Sequence, residues 1–370
     1  MLRNPTTGGQ SAGAVVKRWF NGDAIATRWA DMWIIDFGSR AINESRLFDA
    51  PFKYVLQHVK PERELSREKG MRERFWLFKR SGAEMKAAIE PLARELVTPE
   101  VSKHRLLVWL PKGTALDKNL IAFARADDAF LGVLQSRIHS AWALKLGTSL
   151  EDRPRYTSST TFRTFPFPAH LTPADTAHQR TETLPDGTVI PADLTPEVRP
   201  HAETIARAAK HLNDLRERWL NPPEWTRREP EVVPLGFPLS DDGQWYFPAP
   251  ASASGFEPKS EAARDALRSP QAGPLFRALR AYPDRILPRD GFEKQLAART
   301  LTKLYNERPA WLAQAHEALD VAVAAAYGWP DYTPQMPDEE ILRRLLALNR
   351  ERADLKLPRG DTLAGQATNN

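Results

Sequence analysis

The feature that most constrains this chain is a change of hydrophobic period partway along it. Between residues 15 and 168, short apolar runs of strand type alternate with stretches of helical spacing; beyond residue 200 only helical spacing recurs. Residues 32–37 form an apolar run closed by Gly38 and predict a buried strand. Residues 44–60 predict a helix with Phe52, Leu56 and Val59 on one face, and the charge-dense 60–80 predicts a solvated helix interrupted by Phe75, Trp76 and Phe78. Further strands are predicted at 101–111, 120–124 and 160–167, the last closing on Phe-Pro-Phe-Pro. Between them, 130–145 predicts a helix with Leu131, Leu134, Ile138, Trp142 and Leu146 on one face. The alternation implies a mixed α/β (α+β) domain over 15–168.

Residues 169–200 are rich in Thr, Pro and Asp and read as a linker, with a hairpin turn at Pro185-Asp186-Gly187. A mainly α-helical domain follows over 201–352. Its helices are predicted at 202–219, 292–306, 309–327 (Pro309 at its first position, Gly328 at its stop) and 338–352. The twelve prolines of 221–288 mark a Pro-rich, loop-rich insertion over 221–290. Residues 1–14 and 353–370 read as a disordered lead and a disordered tail.

Charge divides along the same line. Residues 1–168 hold 27 Lys+Arg and 18 Asp+Glu, a balance of +9, whereas 169–370 balance at −4 within a chain of net charge +5. A basic half is a reason to look for nucleic acid as its partner. The absence of cysteine excludes disulfides, thiolate metal sites and a thiol nucleophile. No apolar run reaches the roughly 18–20 residues of a membrane span. The opening segment has no signal-peptide core, so a cytoplasmic location is expected.

Most catalytic patterns fail on their surroundings. Asp36-Phe37-Gly38 has no Gly-rich loop or strand lysine to accompany it, and Gly8–Gly13 matches neither phosphate nor dinucleotide loops. The eight histidines show no metal-ligand spacing. Glu62, Glu64, Glu68 and Lys69 read as surface ion pairs on a helix. Asn221-Pro222-Pro223-Glu224-Trp225 is similar to the loop with which amino-methyltransferases hold a flipped base. Its fourth residue is Glu and a helix precedes it, so helix termination by Pro-Pro is the competing reading.

A binding surface remains. Lys103, His104 and Arg105 cluster where a strand begins, and Arg137 and His139 lie one helix later. Arg153, Arg155, Tyr156, Thr157, Ser158, Ser159, Thr160 and Arg163 then mix forked cations with short hydroxyls. Arginine matches guanine edges, and hydroxyls match phosphates. On the residues alone, a Thr-rich strand pairing within a sheet accounts for the last group equally well.

Three groups of segments carry a family resemblance. They are DMWIIDFG with APFKYVLQHVKPERE; VSKHRLLVWLP with FLGVLQSRIHSAWALKLGTSLEDRPRYTSSTTFRTFPFP; and LNDLRERWLNPPEW with LTKLYNERPAWLAQAHEALDVAVAAAYGW. In order and spacing the chain resembles the C-terminal part of MmeI-like type IIG/IIL restriction–modification enzymes, which are DNA adenine methyltransferases. The resemblance spans most of residues 15–352 and weakens across 169–200 and 226–290.

It implies a target recognition domain followed by a helical C-terminal region, with double-stranded DNA as partner. It also implies S-adenosylmethionine as cofactor of the complete enzyme, none being expected in this chain. The family's Gly-rich cofactor motif and catalytic Asn-Pro-Pro-aromatic loop are not read here, nor is its nuclease domain. A fragment or split subunit is therefore expected, catalytically inactive alone and served by a separate methyltransferase catalytic chain. On this resemblance Lys103, His104, Arg105, Arg137, Arg155, Thr157, Ser158 and Thr160 are expected at the DNA. Lys103, Arg105, Arg155 and the hydroxyls of 157–160 would hold phosphates, and Ser149, Glu151 and Arg153 would read base edges. Two other readings stay open: an active methyltransferase with an unrecognised cofactor site, and a protein-interaction scaffold anchored by Trp219, Trp225, Trp311 and Trp329.

Overall fold

The computed structural model describes residues 12–150, 153–229, 231 and 283–354. The chain gathers into two compact units, one drawing on residues up to 19, 31–83 and 221–296, the second on 20–30, 84–220 and 297 onward.

In the first unit an antiparallel ladder pairs residues 16–18 with 33–35, as the apolar run at 32–37 predicts. Residues 44–60 do not form one helix. Ile42–Arg46 and Asp49–His58 are separate, and the buried face is Phe52 and Val55 rather than Leu56, which is 39% exposed. Phe37, Phe48, Phe52 and Phe75 form one aromatic core, with ring centroids 6.0–6.3 Å apart. The charged stretch after residue 60 folds only as short turns of helix at Lys60–Glu64 and Lys69–Glu73. Each carries an i,i+4 ion pair, at 3.4 and 3.6 Å. Within the segment read as a loop-rich insertion, Thr226–Glu229 pairs antiparallel with Arg285–Pro288, and Trp225 stacks on Phe292 at 5.6 Å. Much of the rest of that insertion lies outside the described residues, as do most of the lead and of the tail.

The second unit is built on a three-stranded antiparallel sheet in the order β2-β1-β3: β1 is Arg94–Pro99, β2 Val108–Pro111 and β3 Leu120–Phe123. The central strand β1 has no counterpart among the predicted strands, because Arg94, Glu95 and Pro99 interrupt its apolar text. In the fold those residues are accommodated. The Arg94 guanidinium lies 3.8 Å from the Trp109 ring centre and 2.7 Å from Asp128, and the Glu95 carboxylate accepts from the Gly113 amide. The predicted strand over 101–111 is realised only at β2; its first half is a loop.

The predicted helix 130–145 is two helices, α1 (Asp128–Gln135) and α2 (Arg137–Leu146). The chain breaks at Ser136, whose extended backbone and hydroxyl cap α2 by accepting from His139 N–H at 3.2 Å. Asp127 caps α1 in the same way, accepting from Phe130 N–H at 2.8 Å. A hairpin, β4 (Thr148–Leu150) and β5 (Arg153–Arg155), leaves the end of α2. Gly147 is required at that exit, since a Cβ there would lie 2.6 Å from the Ala143 carbonyl oxygen and 2.8 Å from that of Arg155. Residues 160–167 are no strand. Ser158–Phe162 winds into a π-helical turn, and Phe162, Phe165 and Phe167 pack with Phe123, Phe130 and Tyr156.

The segment 169–200, read as a linker, contributes to the core instead. Strands β6 (Thr181–Thr183) and β7 (Val189–Pro191) form the predicted hairpin, with Gly187 at φ +79° in its turn. Leu171, Leu184, Ile190 and Val198 are buried in the main cluster. Helix α3 (Arg199–Leu220) packs so closely on α1 that a Cβ on Gly132 would approach Ile205 Cγ2 to 2.5 Å and Ala209 Cβ to 3.1 Å. Helices α4 (Leu301–Glu307), α5 (Ala310–Ala326) and α6 (Asp338–Asp354) complete the unit. Pro309 is the cap of α5 rather than its first residue, and Gly328 ends it at φ +71°. A mixed α/β region followed by helices is the architecture the alternating text implies.

Candidate nucleic-acid interface

The loop between β1 and β2 carries Lys103, His104 and Arg105, and its shape follows from a buried polar network. Gln135, at the end of α1, accepts from the Leu107 amide at 3.1 Å and donates to the Arg105 carbonyl at 3.0 Å. Arg216 of α3 reaches the same Gln135 oxygen at 3.3 Å and the Leu107 carbonyl at 2.9 Å. The loop's backbone is thus tied to two helices by side chains from the apolar interior, where a donor or acceptor left unpaired costs about 1–3 kcal/mol.

The three side chains have different fates. Arg105 turns inward: its guanidinium donates to Thr98 Oγ1 (3.1 Å), the Pro99 carbonyl (2.5 Å) and, at 3.4 Å, the Pro154 carbonyl, and lies 4.8 Å over the Tyr156 ring. Burial lowers its pKa to about 10. This arginine fastens the hairpin base to the sheet, in place of the outward phosphate contact expected of it. Lys103 Nζ and His104 Nε2 both meet Asn306 Oδ1, at 2.8 and 2.9 Å, and His104 packs on Tyr305.

Arg137 is likewise engaged. It donates to Asp338 Oδ1 (2.6 Å) and to the Pro334 and Met336 carbonyls, while its amide donates to Asp320 Oδ1 (2.7 Å). Its role in this structure is to clamp the start of α6 against the start of α2. Burial pushes the Asp320 carboxyl up to about 7, with the amide and charge of Arg137 pulling the other way.

His139 is fully buried. Its Nδ1 lies 2.6 Å from the Leu134 carbonyl, which only accepts, so Nδ1 carries the proton and Nε2 accepts from the Tyr156 hydroxyl at 3.0 Å. Burial is the main cause that holds this imidazole neutral, with a pKa of about 3, and burial also raises the Tyr156 hydroxyl. The pair anchors the stretch that leads into the hydroxyl-rich turn.

Outward-facing groups cluster on the hairpin and that turn. Arg153 and Arg155 alternate with Pro154 along β5, and both are exposed; Arg155 Nε donates to Glu100 at 2.7 Å. Ser149 is in β4, its backbone paired with Pro154, and Glu151 lies outside the described residues. Thr157 caps the π-helical turn, its hydroxyl accepting from the Thr160 amide at 3.3 Å and bonded also to the Thr160 hydroxyl. Ser158 is half-buried, whereas Ser159, Thr160 and Arg163 face solvent. Of the predicted residues, the fold therefore presents Arg153, Arg155 and Thr160 outward together, with Lys103 exposed on the neighbouring loop.

The proposed tryptophan anchors are engaged internally. Trp219, Trp311 and Trp329 pack on the main core, and Trp225 stacks on Phe292. Gln135, Arg216, Asn306 and Arg308 escaped the sequence reading. The available signal was a polar residue inside an apolar stripe: Arg216 shares a helix face with Ala209 and Leu212.

The second unit is a mixed α/β unit that carries outward cations and hydroxyls on one hairpin and turn. In comparison with known proteins, residues 24–169 match the family model described as MmeI, target recognition domain. A solved structure described as the type IIL restriction–modification enzyme MmeI in complex with DNA matches 93% of this chain at 16% identity and a TM-score of 0.49. The matched part is 32% of that enzyme, so this chain spans about a third of its length. Comparison with curated proteins gives no match. Among the described residues, no helix is long and apolar enough to cross a membrane.

Proposed function

We propose that this chain is the sequence-specific DNA-recognition part of an MmeI-like DNA (adenine-N6) methyltransferase and restriction–modification enzyme. The observation that carries the reading is the match of residues 24–169 to the MmeI target recognition domain. The +9 balance of residues 1–168 supports it, because phosphate neutralisation supplies most of a DNA-binding protein's non-specific affinity. Lys103 and Arg155 hold backbone phosphates and set register, and the Thr160 hydroxyl is assigned to a phosphate as well. Arg153, at the tip-proximal end of β5, reads a base edge in the major groove, where an arginine fork matches guanine O6 and N7. The same readout is assigned to Ser149 and Glu151, neighbours of Arg153 in sequence.

The complete enzyme draws its methyl group from S-adenosylmethionine. We assign methyl transfer to another part of the enzyme or to a separate catalytic chain, and the cytoplasm is its place of action.

The test is selection from a randomised duplex library with the purified chain. Enrichment of one asymmetric or palindromic site, with affinity falling as salt rises, supports the reading. Uniform recovery of all sequences defeats it.

A further inference from the structure

A cleft of about 420 Å3 opens in the second unit, far larger than the roughly 30 Å3 a water occupies. Its walls are the loop 102–105, the hairpin base at Pro154 and Arg155, one side of α2, and the junction of α4 with α5. Lys103, Arg105, Arg137, Arg155 and Arg308 line it, against two acids, Glu317 and Asp320. Several of these charges are engaged within the fold. Arg137 pairs with Asp338, Arg105 is bound to carbonyls, Asp320 accepts from the Arg137 amide, and Arg155, assigned above to a backbone phosphate, shares its charge with Glu100.

Two further cations face the cleft. Lys103 donates to the neutral Asn306 amide oxygen, and Arg308 forms no ion pair among the described residues. Behind the wall, the buried Arg216 sits 5.9 Å from the Tyr305 ring and bonds only neutral partners among the described residues. The local field is positive enough to register on His316: burial first, then Arg216 and Arg308, lower its pKa to about 3.

A second, independent observation concerns the backbone. Arg308 closes α4 at φ +41°, ψ +62°, in the left-handed region that favours glycine. Strain of this kind at a residue lining a cleft points to the side chain being needed there.

We propose that this cleft binds a phosphate ester, with Arg308 and Lys103 supplying the charge. The Tyr305 and His104 rings form part of its lining. That the ester is a backbone phosphate of duplex DNA rests on the DNA-recognition reading; a free nucleotide is the other source of the same chemistry. The helical region then takes part in binding, through a residue outside the matched segment 24–169.

The test uses the full chain and two variants, R308G and K103M. Glycine relieves the left-handed conformation, so R308G is expected to melt at or above the wild-type temperature. Binding to a fluorescent random-sequence duplex should nevertheless weaken about fivefold, and the slope of log affinity against log salt should fall by about 0.9. K103M should act in the same direction. If duplex binding is unaltered in both variants while calorimetry shows deoxyadenosine monophosphate bound by wild type and lost in R308G, the ester is a free nucleotide. If neither ligand distinguishes the variants from wild type, the proposal is overturned. If wild type binds no duplex at all, the DNA-recognition reading fails, and the cleft is then decided by the mononucleotide alone: absent binding overturns it too.

Discussion

Arg105 and Arg153 are two arginines of the same basic half, and the fold uses them in opposite ways. Arg105 is drawn under the hairpin, its fork saturated by Thr98 and two carbonyls and stacked on Tyr156. Arg153 stands exposed on β5. The difference teaches that a basic cluster in a sequence is two populations: cations that build the platform and cations the platform displays. Removal of the first kind reads out in stability, and of the second in binding.

The largest effect expected is on the platform itself. Replacing Gly132 with Val drives a branched side chain into Ile205 and Ala209 and should cost about 3 kcal/mol, measured by denaturant unfolding. Next, Arg105→Met should lose about 2 kcal/mol by leaving the Thr98 hydroxyl and two carbonyls short of a donor. Its DNA affinity should recover where the variant is kept folded at low temperature. A binding defect that persists in fully folded Arg105→Met would put Arg105 among the displayed cations.

Arg153→Met should leave the melting curve within about 0.5 kcal/mol of wild type and relax specificity at one base pair by about 1–3 kcal/mol. Lys103→Met should weaken every probe sequence alike. Equal losses on all probes for both substitutions would erase the distinction between readout and phosphate contact.

A separate effect is in the pH profile. His139 and His316, each lowered to about 3, bind fewer protons folded than unfolded, so their contribution is present above about pH 6.5 and is lost on acidification through that window toward 3. Asp320, raised to about 7, acts in the opposite sense, favouring the folded state as pH falls from 7 toward the unfolded value near 4. Two histidines outweigh one aspartate, so stability should fall from pH 7 to about 4.5. Asp320→Asn should steepen that fall, and melting temperatures across the range measure it. An unchanged slope would remove Asp320 as the opposing group.

Several elements were legible because their signal is local. The helix α3 announces itself by period, the strand β3 by its apolar run, and the hairpin β6–β7 by Pro-Asp-Gly. The central strand β1 was not, since its charged residues Arg94 and Glu95 are accommodated by Trp109, Asp128 and the Gly113 amide, brought from elsewhere. The segment 160–167 has strand-like composition, yet the Thr157 hydroxyl captures the Thr160 amide and turns the chain. Its aromatic residues, which make the motif distinctive, serve the core together with Thr161, while Thr160 and Arg163 face solvent.

Taken alone, the amino-acid order determined the class: alternating α/β text, then helices, a basic half, and motifs of a target recognition domain. Those features rest on period and composition, which neighbouring residues carry among themselves. Only the tertiary structure decided which cation faces out, because that depends on acceptors distant in sequence. Pro154 stands ready beneath Arg105, Asp338 beside Arg137 and Asn306 beside Lys103. Arg308, held in a left-handed turn over an open cleft, met no such acceptor among the described residues.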